Sequence, residues 1–297
     1  MTAREQGFLL LTGYLGDPER KPLTIAQFRD LTLRARGVDR PIQERELTQE
    51  DLLGLGCDRT SARRILHLLS QTEQLQWYLE KGRRQCCFPI TRVSPGYPDR
   101  LRSCLGLDAP GVLWAKGDAD ILKLPAVTLV GSRELNGENR EFAREAGKQA
   151  ALQGFVLVSG NARGADRIAQ DSCLEHGGRV ISVVADALAD HPAQPNVLFI
   201  SEDGFDLTFS AQRALQRNRT IHSLGQKTFV AQSRLGKGGT WDGTSRNLKL
   251  GFSPVFCFRD GSEASLELDR MGAALIGIDD LGDFASLQLN FMSFIDQ

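Results

Sequence analysis

Four short segments carry the residue types that a phosphate group requires. Gly131-Ser132-Arg133 follows the apolar run Thr128-Leu129-Val130 and offers a closely approachable backbone, a hydroxyl and a guanidinium where the next helix would begin. Ser159-Gly160-Asn161-Ala162-Arg163-Gly164-Ala165-Asp166 follows Leu157-Val158. Its glycines allow a tight turn, and Asp166, beside Arg163, reads as a structural carboxylate that orients an arginine or ties down the turn. Further on come Gln216-Arg217-Asn218-Arg219-Thr220-Ile221 and the loop Lys237-Gly238-Gly239-Thr240-Trp241. The latter is expected either to nest a phosphate and stack a base on Trp241, or to be a plain turn whose Trp packs on the sheet. No segment has the G-x-G-x-x-G fingerprint, which argues against hydride transfer. Glu202 and His222 stand without a paired nucleophile, so no catalytic residue is assigned.

These segments need elements to hold them. From Leu124 onward short β-branched runs alternate with helical ones: strands over 126–130, 155–159, 180–185, 197–201, 228–232 and 255–258, helices over 138–153, 164–175 and 211–223. That alternation predicts an α/β fold, a Rossmann-like, doubly wound, mostly parallel sheet with helices on both faces. Ligands of such sheets bind outside the carboxyl ends of the strands, where three of the four segments fall, 216–221 lying within the helix expected over 211–223. Residues 1–88 read instead as a helical domain, and Leu53-Gly54-Leu55-Gly56-Cys57-Asp58 before Ser61-Ala62-Arg63-Arg64 predicts a helix-hairpin-helix or SAM-like turn after a capped start at Thr48. That hairpin is expected either to offer its amides to one phosphate or to pack for its own sake. A Pro- and Gly-rich passage, with a short strand at 112–115, leads into the second domain, 89–297.

Composition narrows the possibilities. The 297 residues carry 36 Lys and Arg against 37 Asp and Glu, a net charge of -1, which excludes uniform histone-like coating of nucleic acid. Locally the balance differs: residues 205–250 hold eight basic residues (Arg213, Arg217, Arg219, Lys227, Arg234, Lys237, Arg246, Lys249) and two acidic ones, about +6. Arg213, Arg246 and Lys249 are expected on solvated helix faces, and Arg217, Arg219 and Lys237 at the ligand. Six irregularly spaced cysteines, no secretory signal and no apolar run of membrane-spanning length predict a cytoplasmic protein with reduced thiols. Four separated histidines give no metal-ligand spacing, and neither metal nor cofactor is expected.

The pair V-G-S-R and S-G-x-A-R-G-x-D, some thirty residues apart, resembles the Rossmann-like domain of the DNA-processing protein A (DprA, or Smf) family. The resemblance continues through Pro95-Gly96-Tyr97-Pro98, Pro110-Gly111-Val112-Leu113-Trp114, Ser201-Glu202 and Arg217-Asn218-Arg219-Thr220-Ile221. It implies single-stranded DNA binding during DNA uptake and recombination, a RecA-type recombinase as protein partner, and a homodimer as an assembly open to the chain. It also implies a strand-binding pocket lined by Gly131, Ser132, Arg133, Ser159, Gly160, Arg163, Gly164, Arg217, Asn218 and Arg219. With only about twenty residues beyond the last matching segment, the chain is expected to be a short form lacking the carboxy-terminal winged helix of many members. The 230–244 segment departs from the family, which has an acidic residue and a Ser-Gly pair there. The same loop echoes the related nucleotide phosphoribohydrolases, but Lys237 replaces a proline, the two glycine pairs are spaced more widely, and Asn247 stands where their Glu would fall. An amide cannot replace a carboxylate in such chemistry. The alternative of another class is a non-catalytic pocket sensing a small nucleotide, as in a bacterial defence or stress system.

Overall fold

The computed structural model describes residues 1–36, 46–202 and 204–289, so parts of both expected domains lie outside the described residues. Among the described residues, the chain opens with the helices α1 (Ala3–Thr12), α2 (Ile25–Arg36), α3 (Gln49–Gly54), α4 (Arg59–Ser70) and α5 (Thr72–Arg84). Thr48 and Asp51 form the capping box that starts α3, and Asp58 caps α4 by accepting from the Ser61 amide at 2.8 Å. The expected hairpin is thus present between α3 and α4. Its turn is engaged inside the protein, because the Gly56 carbonyl accepts from Arg34 at 2.7 Å.

The remainder builds one sheet and the helices covering it. In chain order these are β1 (Phe88–Thr91), α6 (Asp99–Leu105), β2 (Val112–Lys116), β3 (Ala126–Val130), α7 (Gly137–Leu152), β4 (Val156–Ser159), α8 (Ala165–Glu175), β5 (Arg179–Val183) and β6 (Val197–Glu202). There follow α9 (Ala211–Gln216), α10 (Asn218–Leu224), β7 (Thr228–Val230), α11 (Gly238–Leu250), β8 (Val255–Phe258), α12 (Glu263–Arg270) and β9 (Ala274–Ile276). Strand order is β1-β2-β6-β5-β4-β3-β7-β8-β9, parallel from β6 to β9, with β1 and β2 antiparallel at one edge. Strands β3 to β8 are buried along their length apart from Arg179, as continuous apolar runs require of a sheet covered on both faces. The Rossmann-like α/β architecture expected from the sequence is therefore present.

One face packs Phe142, Ala143, Ala146 and Ala150 of α7 and Ala165, Ala169 and Cys173 of α8 against Val127, Leu129, Leu157 and Phe229. Leu9 and Leu10 of α1 and Leu75 and Tyr78 of α5 join this core, so the amino-terminal helices share it with the sheet. The other face buries Leu101, Ile221, Leu224 and Leu268 on Val130, Val158, Ile181 and Ile200. At one margin Tyr78, Trp114 and Phe205 stack with centroids 4.7–5.1 Å apart, each pair contributing about 1 kcal/mol beyond its buried area. Asp206 accepts from Tyr78 and Lys81, both at 2.7 Å, and so fixes the approach to α9.

Two expectations about elements are corrected. The glycine-rich 233–244 segment is not all loop, since α11 starts at Gly238. Burial of Gly243, Thr244 and Asn247 overrides the poor helix propensity of its first turns. The helix expected over 211–223 is divided at Arg217 into α9 and α10. The edge strands β1 and β9, short and adjoining turns, were not expected.

Candidate anion-binding pocket at the strand carboxyl ends

Chain direction across the sheet reverses at β3. From β3 the chain runs outward through β4, β5 and β6, then returns to place β7 on the opposite side of β3. Such a switch point leaves a crevice above the carboxyl ends of the central strands. Here it is a cavity of about 590 Å³ lined by the loops after β3, β4 and β7 and by α9 and α10.

The loops are fastened to one another before any ligand arrives. The Ser132 amide donates to the Gln232 carbonyl at 2.9 Å, Thr240 Oγ1 donates to the Gly131 carbonyl at 2.9 Å, and the Ala165 amide donates to the Ser132 carbonyl at 3.2 Å. Asn218 Nδ2 donates to the Gly239 carbonyl at 3.1 Å, which ties α10 to the start of α11. Gly164 is required at its position. Its φ of 94° is left-handed, and a Cβ there would lie 2.5 Å from the Ser132 and Arg133 carbonyls. Neither α8 nor α11 has a side-chain cap; at α8 the backbone fills the role, the Ala165 and Arg167 amides donating to the Ser132 and Ala162 carbonyls, both at 3.2 Å, while Gly238, Gly239 and Thr240 at the start of α11 line the crevice.

Asp166 ties the turn after β4 to its own helix. One carboxylate oxygen accepts from the amides of Gly160 at 3.0 Å and Ala162 at 3.2 Å. Burial pushes this carboxyl upward, opposed by the Arg217 guanidinium and by those two amides. The arginine it serves is Arg217, since Arg163 turns outward. Arg217 lies on the pocket floor, donates to the Gly160 carbonyl at 3.0 Å, and has a buried Nε with no partner among the described residues. His222 stands behind it, fully buried, with Nδ1 3.3 Å from Thr228 Oγ1. Burial, with Arg217 nearby, pulls its pKa down to about 3, so it is neutral at ordinary pH.

Of the residues expected at the ligand, Gly131, Ser132, Arg133, Arg163, Arg217, Asn218, Lys237, Gly238, Gly239 and Thr240 line one cavity, as does Asp166. Ser159, Gly160 and Gly164 lie beneath it and shape its turn: Ser159 Oγ accepts from Gln170 at 2.5 Å, and a side chain on Gly160 would collide with Arg217. Arg219 is corrected. Its guanidinium pairs with buried Glu202 at 3.4 Å, and Thr220 donates to the other Glu202 oxygen at 2.6 Å. Of the two alternatives for Trp241 the structure has the second: its ring packs partly buried on the core and does not line the cavity. Arg213 is no solvated cation either. It donates to the carbonyls of Ala185, Leu207 and Thr208 and to Ser201 Oγ, at 2.8–3.0 Å.

The sequence reading missed the apolar wall of Phe209, Ala211, Ala214 and Leu215, and the rim residues Glu134 and Arg234. An aromatic between Thr208 and Ser210 just before a helix was the available signal, for Phe209 is 58% exposed. Among the described residues no group of three or more His, Cys, Asp or Glu is arranged to hold a metal ion, and no helix is long and apolar enough to cross a membrane.

A buried guanidinium and exposed cations above a doubly wound sheet define an α/β protein with a cation-lined pocket at its switch point. Residues 89–280 match the family model of DNA recombination-mediator protein A, and the chain belongs to that family. It is 31% identical over 164 residues to DNA processing protein DprA of Bacillus subtilis, covering 51% of this chain and 54% of the relative. It is likewise 31% identical over 141 residues to DprA of Streptococcus pneumoniae, covering 44% and 50%. The chain thus spans about half the length of the curated relatives it matches. The X-ray structure of the S. pneumoniae DprA shares the fold, with a TM-score of 0.70 at 24% identity over 92% of this chain and 96% of that one. A Helicobacter pylori DNA processing protein A, described for its single-stranded DNA binding mode, aligns with a TM-score of 0.55 at 24% identity over 65% and 93%.

Proposed function

We propose that this chain binds single-stranded DNA in the switch-point pocket and acts as a recombination mediator in the cytoplasm during DNA uptake, with a RecA-type recombinase as its protein partner. A binding role rather than catalysis follows from the groups present. Asp166 is committed to backbone amides, His222 is buried and neutral, and Asn247 is held behind the pocket, its Oδ1 accepting from the Ser253 amide at 2.9 Å. The observation that carries the reading is one cavity combining four exposed cations (Arg133, Arg163, Arg234, Lys237) with an apolar wall bearing the exposed ring of Phe209. Cations take phosphates and a ring takes base faces without regard to sequence, as a single strand requires. Family membership and the single-stranded DNA binding mode described for the H. pylori protein support the same ligand.

An anisotropy titration with labelled oligo-dT, duplex DNA and free nucleotides over a salt series tests the reading. Oligo-dT should bind best, with affinity falling linearly on a log–log plot as salt rises, by about 0.7 for each phosphate neutralised. Micromolar binding of a mononucleotide with none of oligo-dT would favour the nucleotide-sensing alternative instead.

A further inference from the structure

Glu134 follows directly on Gly131-Ser132-Arg133 and stands on the rim of the pocket, on the loop of the central strand β3. One oxygen lies 2.8 Å from Arg234 Nη2, on the β7 side, and the other 3.8 Å from Arg163 Nη2, on the β4 side. A single carboxylate therefore spans two guanidiniums brought from the two flanking loops. Among the described residues, Glu134 and inward-turned Asp166 are the acidic side chains lining the cavity. All three partners are well exposed, with side chains at 69%, 79% and 65% of full exposure, so the bridges are weak and readily exchanged. Two oxygens offered to two guanidiniums is also what a backbone phosphate presents.

We propose that Glu134 occupies the seat of a strand phosphate, holding Arg163 and Arg234 in register across the rim until the ligand displaces it. This rests on the single-strand reading of the pocket and adds a residue that sets its affinity. Without a ligand the trio has a net charge of +1, and the arginines are kept from spreading into solvent. An incoming polyanion replaces the carboxylate, and the cost of releasing Glu134 is subtracted from binding. Glu134 is a positioning residue here, since it acts through the two arginines.

The test is oligo-dT anisotropy over a salt series with the full chain, for wild type, Glu134→Gln and Glu134→Ala, each also in an Arg163→Ala/Arg234→Ala background. Removing the carboxylate charge should tighten oligo-dT binding about two- to tenfold at low salt and leave the log–log salt slope close to that of wild type, because the same phosphate fills the seat in both proteins. Melting temperature should stay within about 2 °C of wild type, as for a substitution on an exposed rim. In the double-arginine background the gain should vanish. A gain of equal size in that background would show plain repulsion and overturn the phosphate-seat role. Wild-type binding that Glu134→Gln leaves unchanged would overturn this inference alone, whereas a wild type that binds no oligonucleotide at any salt would remove the strand-binding reading beneath it.

Discussion

Arginines of this chain fall into two populations that their sequence neighbourhoods do not separate. Arg213, Arg217 and Arg219 sit within seven positions of one another, and each is held inside the protein, by carbonyls, by the Gly160–Asp166 turn and by Glu202 respectively. Arg133, Arg163, Arg234 and Lys237 come from three separate loops and project from the rim. The inner group lies over strand ends, where carbonyls and carboxylates converge and five planar donors can be satisfied at once. The outer group lies where chain reversal leaves no such acceptors. A local excess of basic residues is thus a poor measure of charge available to a ligand. Of the eight in 205–250, only Arg217, Arg234 and Lys237 line the pocket, while Lys227 donates to the carbonyls of Phe284 and Leu287.

The inner population is broken most severely through Asp166. Asp166→Ala removes the acceptor for two buried amides and the carboxylate nearest Arg217, and should cost about 3 kcal/mol in urea unfolding, with loss of strand binding as the turn relaxes. A cost below about 1 kcal/mol would mean that Arg217 is held without it and that the inner and outer groups differ less than the geometry indicates.

A somewhat smaller effect should come from pH. The folded pKa of His222 lies near 3, below the ordinary 6.5, so its neutral form is the one that folding favours. Its contribution is complete above pH 6.5 and is lost as pH falls toward 3. Between pH 6.5 and 5 the protein should lose up to about 2 kcal/mol from this group. Chemical denaturation at several pH values would register the slope, and His222→Asn should flatten it. A slope unchanged in that variant would assign the acid sensitivity to other groups.

Much of this was legible in the sequence because it depends on local pattern. The alternation beginning at Ala126 predicted the parallel sheet, and the glycine–cation segments after β3 and β4 fell at the crevice because strand ends must. Side-chain direction was not legible. Arg217 and Arg219 are both one turn into the same connection, yet the first meets a glycine carbonyl 57 positions away and the second a glutamate 17 away, partners that exist only once β4, β6 and α10 are assembled. Trp241 was left open between two readings for the same reason: a Trp on the first turn of a helix can face sheet or solvent, and the core decided. Glu134 drew no attention because a lone acid beside an arginine acquires meaning only when Arg163 and Arg234 arrive from other loops.

The outer population should show the smallest change in stability and the clearest change in binding. Among the described residues Arg133 and Lys237 have no side-chain partner, so truncation leaves no buried group unsatisfied. Arg133→Ala and Lys237→Ala should each alter unfolding free energy by no more than about 0.5 kcal/mol. Each should weaken oligo-dT binding severalfold at low salt and reduce the log–log salt slope by about 0.7, because one phosphate contact releases fewer counterions. Arg219→Ala is the matched control within the same chain: it takes the guanidinium away from buried Glu202, so stability should fall while the salt slope of the folded protein stays at its wild-type value. If Arg219→Ala lowered the slope as Arg133→Ala does, Arg219 would have to leave Glu202 for the strand, and the boundary between inner and outer cations would move to include it.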